Sequence, residues 1–444
     1  MSVSVEPVPP LGPAPEAAAP RIAGLDEAAL ADVLAQSASD AERADRLGAF
    51  ERYAAAPVPH RRMEEWRRTD PARIPFGSVR RLPLVQPGSC APHPWDEACD
   101  LVLALEDDRF TVFDRLGLLV RGEVKLQPLA EALAEGVIGS DRLAEWGRRP
   151  DVPDQVALAP EPFWNAGFYL RVEPSARVPR GVLLRYHLRR VDALAVLRLV
   201  VELAPGAALS AVEWHESSSG RHLTLASKRW LIGERARLHW TVLRDEGAQT
   251  VHVADEWASL RRDARFDWIT LNFGGQLIKA RLTGDARAPG AAAELDGLYF
   301  VNGDGHVDQK TLQVHSAPDT FSRLLYKGAV KDRGFSMYQG QIIARPGAIR
   351  VDAYQKNNNL VLNDGARADS MPGLQIDADD LKCSHGATIG ALDPDQLFYL
   401  RSRGLDERTA RALLIRGFFE DVASRILHER VRERLQQRIE EKMK

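Results

Sequence analysis

Cys383-Ser384-His385 is the stretch of this sequence best suited to chemistry. On a strand, residues i and i+2 share a face, so the thiol and the imidazole would point the same way. Thiolate and imidazole together suit iron, zinc or an iron–sulfur cluster. The same pair also fits a plainer reading, a small buried thiol beside a hydrogen-bonded imidazole. Two ligands do not complete the four that a cluster takes. A site here must draw the rest from elsewhere in the chain or from another chain. The other thiols, Cys90 and Cys99, lie in a proline-rich connection and read as structural or incidental.

Other candidate chemistry is weaker. His215, His222, His239 and His252 cluster in sequence, yet no H-E-x-x-H or similar metal spacing joins them. They read as solvated or structural histidines. Asn272-Phe273-Gly274-Gly275 and Asn302-Gly303-Asp304-Gly305 are turn chemistry, not a phosphate loop. G-x-S-x-G is absent. Such a chain should not hydrolyse nucleotides alone. Asn357-Asn358-Asn359 reads as a turn or an asparagine ladder.

The elements that must hold Cys383 and His385 are strands. From Phe168 to about residue 389, short alternating runs such as Leu197–Leu203, Leu238–Leu243 and Phe266–Leu271 are divided by Gly, Pro, Asp and Asn. Four openings look alike: Gly206-Ala-Ala-Leu209, Arg235-Ala-Arg-Leu238, Asp263-Ala-Arg-Phe266 and Ala292-Ala-Glu-Leu295. Their apolar positions step by 29, 28 and 29, and Leu325, Val351 and Ile376 extend the series. A strand-only period of this size predicts a β-solenoid, with a β-sandwich as the alternative.

Helices flank this core. Residues 1–155 read as a mainly helical N-terminal domain, with 1–20 disordered and short strands such as Leu101–Leu105 after residue 71. Asp26 and Asp40 are its expected caps, and a helix is expected near Leu129–Glu135. The β-core takes 156–389, and 390–444 form a C-terminal helical domain. There, Asp393-Pro394 opens a helix that ends at Gly404, and Asp406 caps the next. Leu414, Phe418 and Val422, with Ile415, Phe419 and Ile426 beside them, make an apolar stripe. The stripe either packs on the end of the chain's own solenoid, covering its open edge, or docks in part into a partner's groove. On the partner reading, a chain cut after Ile389 keeps a folded β-core.

The 444 residues carry 59 Lys+Arg against 62 Asp+Glu, a net charge of -3, which gives no field for nucleic acid. Three cysteines make no disulfide framework and fit a reducing compartment. The N-terminus lacks the pattern of a signal peptide, and no apolar run is long enough to span a membrane. A cytoplasmic protein without a membrane partner is expected.

Lys382-Cys-Ser-His-Gly-Ala-Thr388, followed by Asp395-Gln-Leu-Phe-Tyr-Leu-Arg-Ser-Arg-Gly404, closely resembles the C-terminal signature of the SufB/SufD family. His60-Arg-Arg-Met-Glu-Glu-Trp66 resembles the family's N-terminal R-R-x-E-E-W segment, and Tyr338-Gln-Gly-Gln-Ile342 is similar to family sequence. Two departures separate it from the SufB pattern. Lys356 follows Gln355 where SufB has a cysteine, and Gly386 stands where SufB has a glutamate. Both fit the SufD branch. The resemblance implies a right-handed parallel β-helix flanked by helical domains. It implies a non-catalytic scaffold subunit that pairs with SufB through the C-terminal end of the β-helix. It implies a SufC ATPase bound by the C-terminal helices, for which Leu397, Phe398, Leu414, Phe418, Phe419 and Val422 are the expected contacts. A transient iron–sulfur cluster would be shared with the partner subunit, with His385, and Cys383 beside it, as contributors. Cluster type, iron donor and flavin binding stay open. A polysaccharide-cleaving β-helix lacks its signal peptide and clustered carboxylates here. A purely structural solenoid would leave the 382–404 motif without a purpose.

Overall fold

The computed structural model describes residues 22–139, 143 and 154–444; the stretch 1–20, expected to be disordered, lies outside them. Consecutive strands of the core alternate between two sheets, so every second strand pairs within the same sheet. From Ala166 to Gly390 every lateral pairing among these strands is parallel. That alternation is a coil of about 8 turns, a parallel β-helix, and it excludes the sandwich.

The coil turns one corner with a left-handed residue each time. Ser175, Gly206, Arg235, Asp263, Gly290, Asp319, Arg350 and Asp380 all have φ between 54° and 76°. They stack along the axis: the Gly206 amide donates to the Glu234 carbonyl, Arg235 to Arg262, and Arg350 to Asp380. At Gly290 a Cβ would stand 2.0 Å from Asp263 Oδ1, so a larger residue there would have to push the Asp263 side chain aside.

The register corrects the sequence-derived period. Leu209, Leu238 and Phe266 do stack, but Ala293 comes next and Leu295 pairs with Trp268. The ladder continues through Ser322, Ala353 and Cys383, not Leu325, Val351 and Ile376. Ile376 lies in the other sheet. Small and polar residues occupy this position in the later coils, so a search for large apolar residues slips off it.

The lumen is tightly packed. Trp230 lies 5.4 Å from Trp240 and 5.1 Å from Trp268, ring to ring. Further along, Tyr299 fills the space beside Gly328, where a Cβ would stand 1.9 Å from the ring. The Tyr299 hydroxyl donates to Asn359 Oδ1 at 2.5 Å, so the ring has little room to retreat. Gly328→Ala is expected to cost about 3 kcal/mol, the upper range for overpacking. Urea unfolding of the full chain measures it, and an unchanged midpoint would refute the tight fit.

Among the described residues before 155, strands stand beside the helices. Asp26 caps the helix Glu27–Gln36 as foreseen, but Ser39 rather than Asp40 caps the helix Asp40–Ala55. The strands Leu101–Glu106 and Val124–Pro128 pair directly with Val182–Leu188 and Ala166–Val172, extending both sheets at the N-terminal end. The Arg-Arg-Met-Glu-Glu-Trp segment docks on the outside of the coil. Trp66 Nε1 donates to Asp154 Oδ2 at 2.6 Å, Lys279 sits over the Trp66 ring, and Glu65 pairs with Lys310.

The C-terminal helices lie against the outer face of the other sheet. Ile415, Phe419 and Val422 of the helix Glu407–Ala423, and Val431, Leu435 and Ile439 of the helix Glu429–Lys442, are buried there. They share one core with Val212, Trp214, Leu243, Ile269, Leu271, Leu298 and Phe300. The charged tail 428–444 is therefore a docked amphipathic helix. Among the described residues no helix is long and apolar enough to cross a membrane.

Candidate functional site at the open end of the β-helix

The strand Lys382–Gly390 is the last of its sheet and pairs only with Asp352–Val361; Arg367–Ile376 ends the other sheet in the same way. Cys383 and His385 share a face, as their spacing requires, and that face is the luminal one. His385 ends a register stack of Ala211, Trp240, Trp268, Leu295, Leu324 and Gln355. Every residue of this stack from Ala211 to Gln355 is buried, whereas His385 is exposed because no further coil covers it. Gln355, beside it, is fully buried, yet its Oε1 and Nε2 have no hydrogen-bond partner. Buried amides are normally satisfied, so this end of the lumen holds unused polar capacity.

Cys383 is half-buried and packs near Ala353 and Val351. Burial pushes its thiol up, and Asp352 adds to the shift. The free chain therefore holds it as a thiol, and a bound metal would have to draw off the proton. Cys90 and Cys99 are buried elsewhere, with Cys99 pushed up to about 12 by burial. They do not approach this site in the core they share with the C-terminal helices. Asn357 and Asn359 form neither a turn nor a ladder. They sit on a strand and face inward, Asn357 donating to the Tyr299 hydroxyl and Asn359 to Asn357.

Apolar side chains surround this end. Tyr354, Met371, Leu374, Ile376 and Ile389 are all exposed. Next to them the helix Pro394–Ser402 buries none of its residues, and Phe398 is 74% exposed. The expected partner contacts divide. Phe398 is exposed, while Leu397, Leu414 and Phe418 are half-buried. Phe419 and Val422 are fully buried against the chain's own sheet, so they have no surface to offer a partner. The stripe covers the outer face of the solenoid rather than its open end.

The histidine group also rearranges. His222 keeps to Ser218, and His239 lies beside His428. His215 and His252, however, come together inside the coil with their rings 4.8 Å apart. A buried ion chain runs next to them: Lys228 bridges Glu213 and Glu256, and Arg244 meets Glu256 at 2.6 Å. No sequence spacing announced it, because its members come from strands of both sheets.

Burial also holds His306 and His315 down to about 4, from an ordinary 6.5. Between these values the unfolded chain binds more protons than the folded one, so stability falls as pH drops through that window. Each histidine contributes on the order of 1.4 kcal/mol per pH unit there. The melting temperature should decline from about pH 6.5 toward pH 4. A flat profile would mean these imidazoles are not held neutral.

The parallel β-helix thus ends in an unpaired last coil that bears a thiol and an imidazole among exposed apolar side chains. The family model for the SUF system FeS cluster assembly SufBD core domain matches residues 187–418. The chain belongs to the SufB/SufD family. It is 37% identical over 222 residues to an iron–sulfur cluster assembly SufBD family protein of Mycobacterium leprae, covering 48% of this chain and 57% of that protein. A SufBD family protein of Mycobacterium tuberculosis is 31% identical over 397 residues, covering 87% and 89%. The iron–sulfur cluster assembly protein SufD of Escherichia coli is 30% identical over 244 residues, covering 55% and 58%. The chain is thus a scaffold-type component of iron–sulfur cluster assembly.

Proposed function

We propose that this chain is the SufD-type subunit of a cytoplasmic Suf scaffold. It meets a SufB subunit through its open last coil, and His385 donates an imidazole to a nascent cluster held between the two. The cluster is cargo here, built on the pair and passed on. The observation that carries this reading is His385 itself: an inward-facing stack ends in an exposed imidazole with too few ligands around it. The unpaired strand edges and their exposed apolar side chains favour a second chain at the same place. The two departures from the SufB pattern, Lys356 and Gly386, are direct register partners. A site built on a cysteine and a glutamate there is absent from this chain, so the richer ligand set belongs to the partner. Three unpaired cysteines fit a reducing cytoplasm.

A SufC ATPase would dock on the surface that the chain leaves open, namely Phe398 and Tyr399 with Leu413 of the following helix. Phe398→Ser and Leu413→Ser remove exposed apolar area and should leave the fold unchanged. Each is expected to weaken SufC binding by about 2 kcal/mol if it anchors the contact. Calorimetric titration of SufC into the purified chain measures this. Unaltered affinity in both variants would place the ATPase elsewhere.

A further inference from the structure

The open end is not the only place where ligand atoms converge. Six coils away in the same sheet, about 29 Å along the axis at the usual strand spacing, His215 faces the lumen. One ligand atom each from His215, Glu246 and His252 lies within 4.8 Å of the other two, and all three residues are buried. We propose that His215, Glu246 and His252 form a binding site for one divalent transition-metal ion inside the wall of the β-helix, separate from the His385 end.

Four observations support it. First, His252 is fully buried and its Nε2 has no hydrogen-bond partner, while Glu246 accepts from Nδ1 at 3.0 Å. A buried imidazole nitrogen left empty is an unfilled ligand position. Second, Glu213 Oε1 holds His215 Nε2 at 2.5 Å, which leaves Nδ1 for a metal. A carboxylate on the far nitrogen is the arrangement that orients a metal-binding histidine. Third, charge favours a cation. Glu213, Glu246 and Glu256 face only Lys228 and Arg244 in this cluster, so three negative charges meet two positive ones. A buried net negative charge is costly unless a cation neutralises it. Fourth, the donor from the turn is fixed in place. A Cβ on Gly274 would stand 2.1 Å from the Glu246 carbonyl, so this backbone is packed to contact. Glu246 also lines a surface cleft beside Gly274 and Gly275, which gives an ion or a water a route inward.

Two imidazoles and one carboxylate suit zinc, cobalt or ferrous iron, with a fourth position left for water. The other histidines flagged in the sequence lack this convergence; only these two are brought together by adjacent coils.

The test uses the full chain, stripped with chelator and then given Zn(II) or Co(II) alone. One ion per chain is expected, and X-ray absorption should report imidazole nitrogen and carboxylate oxygen without sulfur. Glu246→Gln and His252→Gln should weaken binding more than the 10–100-fold typical of losing a supporting partner. His385→Ala and His428→Gln should leave it intact. Should a variant fail to fold, hydrogen exchange of the wild-type chain decides: Zn(II) should protect the turn from Glu246 to Thr250. A sulfur ligand, protection only at the 382–390 strand, no retained ion, or binding that survives His252→Gln and vanishes with His385→Ala would each overturn the proposal.

Discussion

His385→Ala is expected to leave a complex that still assembles with SufB and SufC but carries little of the wild-type iron and sulfide. The imidazole is exposed, and no buried apolar area goes with it. Surface changes of this kind usually alter stability by less than about 0.5 kcal/mol. That is smaller than the loss a hydrogen-bonded core histidine would bring, so a normal melting temperature is part of the expected result. The ligand loss is different in kind. A cluster needs four ligands, and removing one from an incomplete set leaves iron with water or nothing in that place. Iron and sulfide content of the purified complex, beside its gel-filtration profile, measures this. Normal iron would end the ligand role of His385, and a complex that falls apart would make it a docking residue. Cys383→Ala separates the two members of the pair. The thiol is half-buried among Ala353 and its neighbours. If it only packs, iron stays high; if it ligates, iron falls as far as in His385→Ala.

The shared face of Cys383 and His385 was legible because strand alternation is strict and the pair stands two residues apart. The coil was legible from its period, and the caps at Asp26, Asp393 and Asp406 from residue type alone. Register from the fourth of the four similar openings onward was not. Ala293, Ser322 and Ala353 occupy the inward position that Leu209 and Phe266 hold earlier, and small residues carry no periodic signal. The better marker was the left-handed corner, whose residues are Gly, Asp, Ser and Arg. Arginine in that conformation follows no local preference. Its place is set by stacking, as Arg350 paired with Asp319 of the preceding coil illustrates. Gln355, unsatisfied beneath His385, and the His215–His252 meeting were illegible for a related reason: both depend on contacts between residues 30 and 37 positions apart.

A chain ending after Ile389 is expected to lose its folded core, against the sequence-based expectation that the β-domain would survive. The apolar stripe of 407–426 left two readings open, a cover for the open end or a partner's anchor, and its buried part instead packs on the outer face. Ile415, Phe419, Val422 and Ile426, with Val431, Leu435 and Ile439, cover one outer face of the β-helix. Cutting them away bares apolar residues of that face such as Val212, Leu243, Ile269, Leu271, Leu298 and Phe300, all at most 2% exposed in the whole chain. At about 1.5–3 kcal/mol for each buried side chain, the lost cover is on the order of 10 kcal/mol. That equals the entire stability of a typical domain. Polar anchors go as well: Arg425 leaves Asp296, and Arg434 and Arg438 leave Asp245. Those carboxylates become exposed rather than stranded, so the apolar face dominates the outcome. The truncated chain should aggregate, or show near-native far-ultraviolet dichroism without a cooperative melt. A soluble truncation that melts cooperatively within a few degrees of the full chain would mean the helices are only a handle for a partner. Because this cut removes cover and docking surface together, loss of SufC binding in it says nothing about the ATPase. Only substitutions at exposed positions, Phe398 and Leu413, separate partner recognition from the chain's own stability.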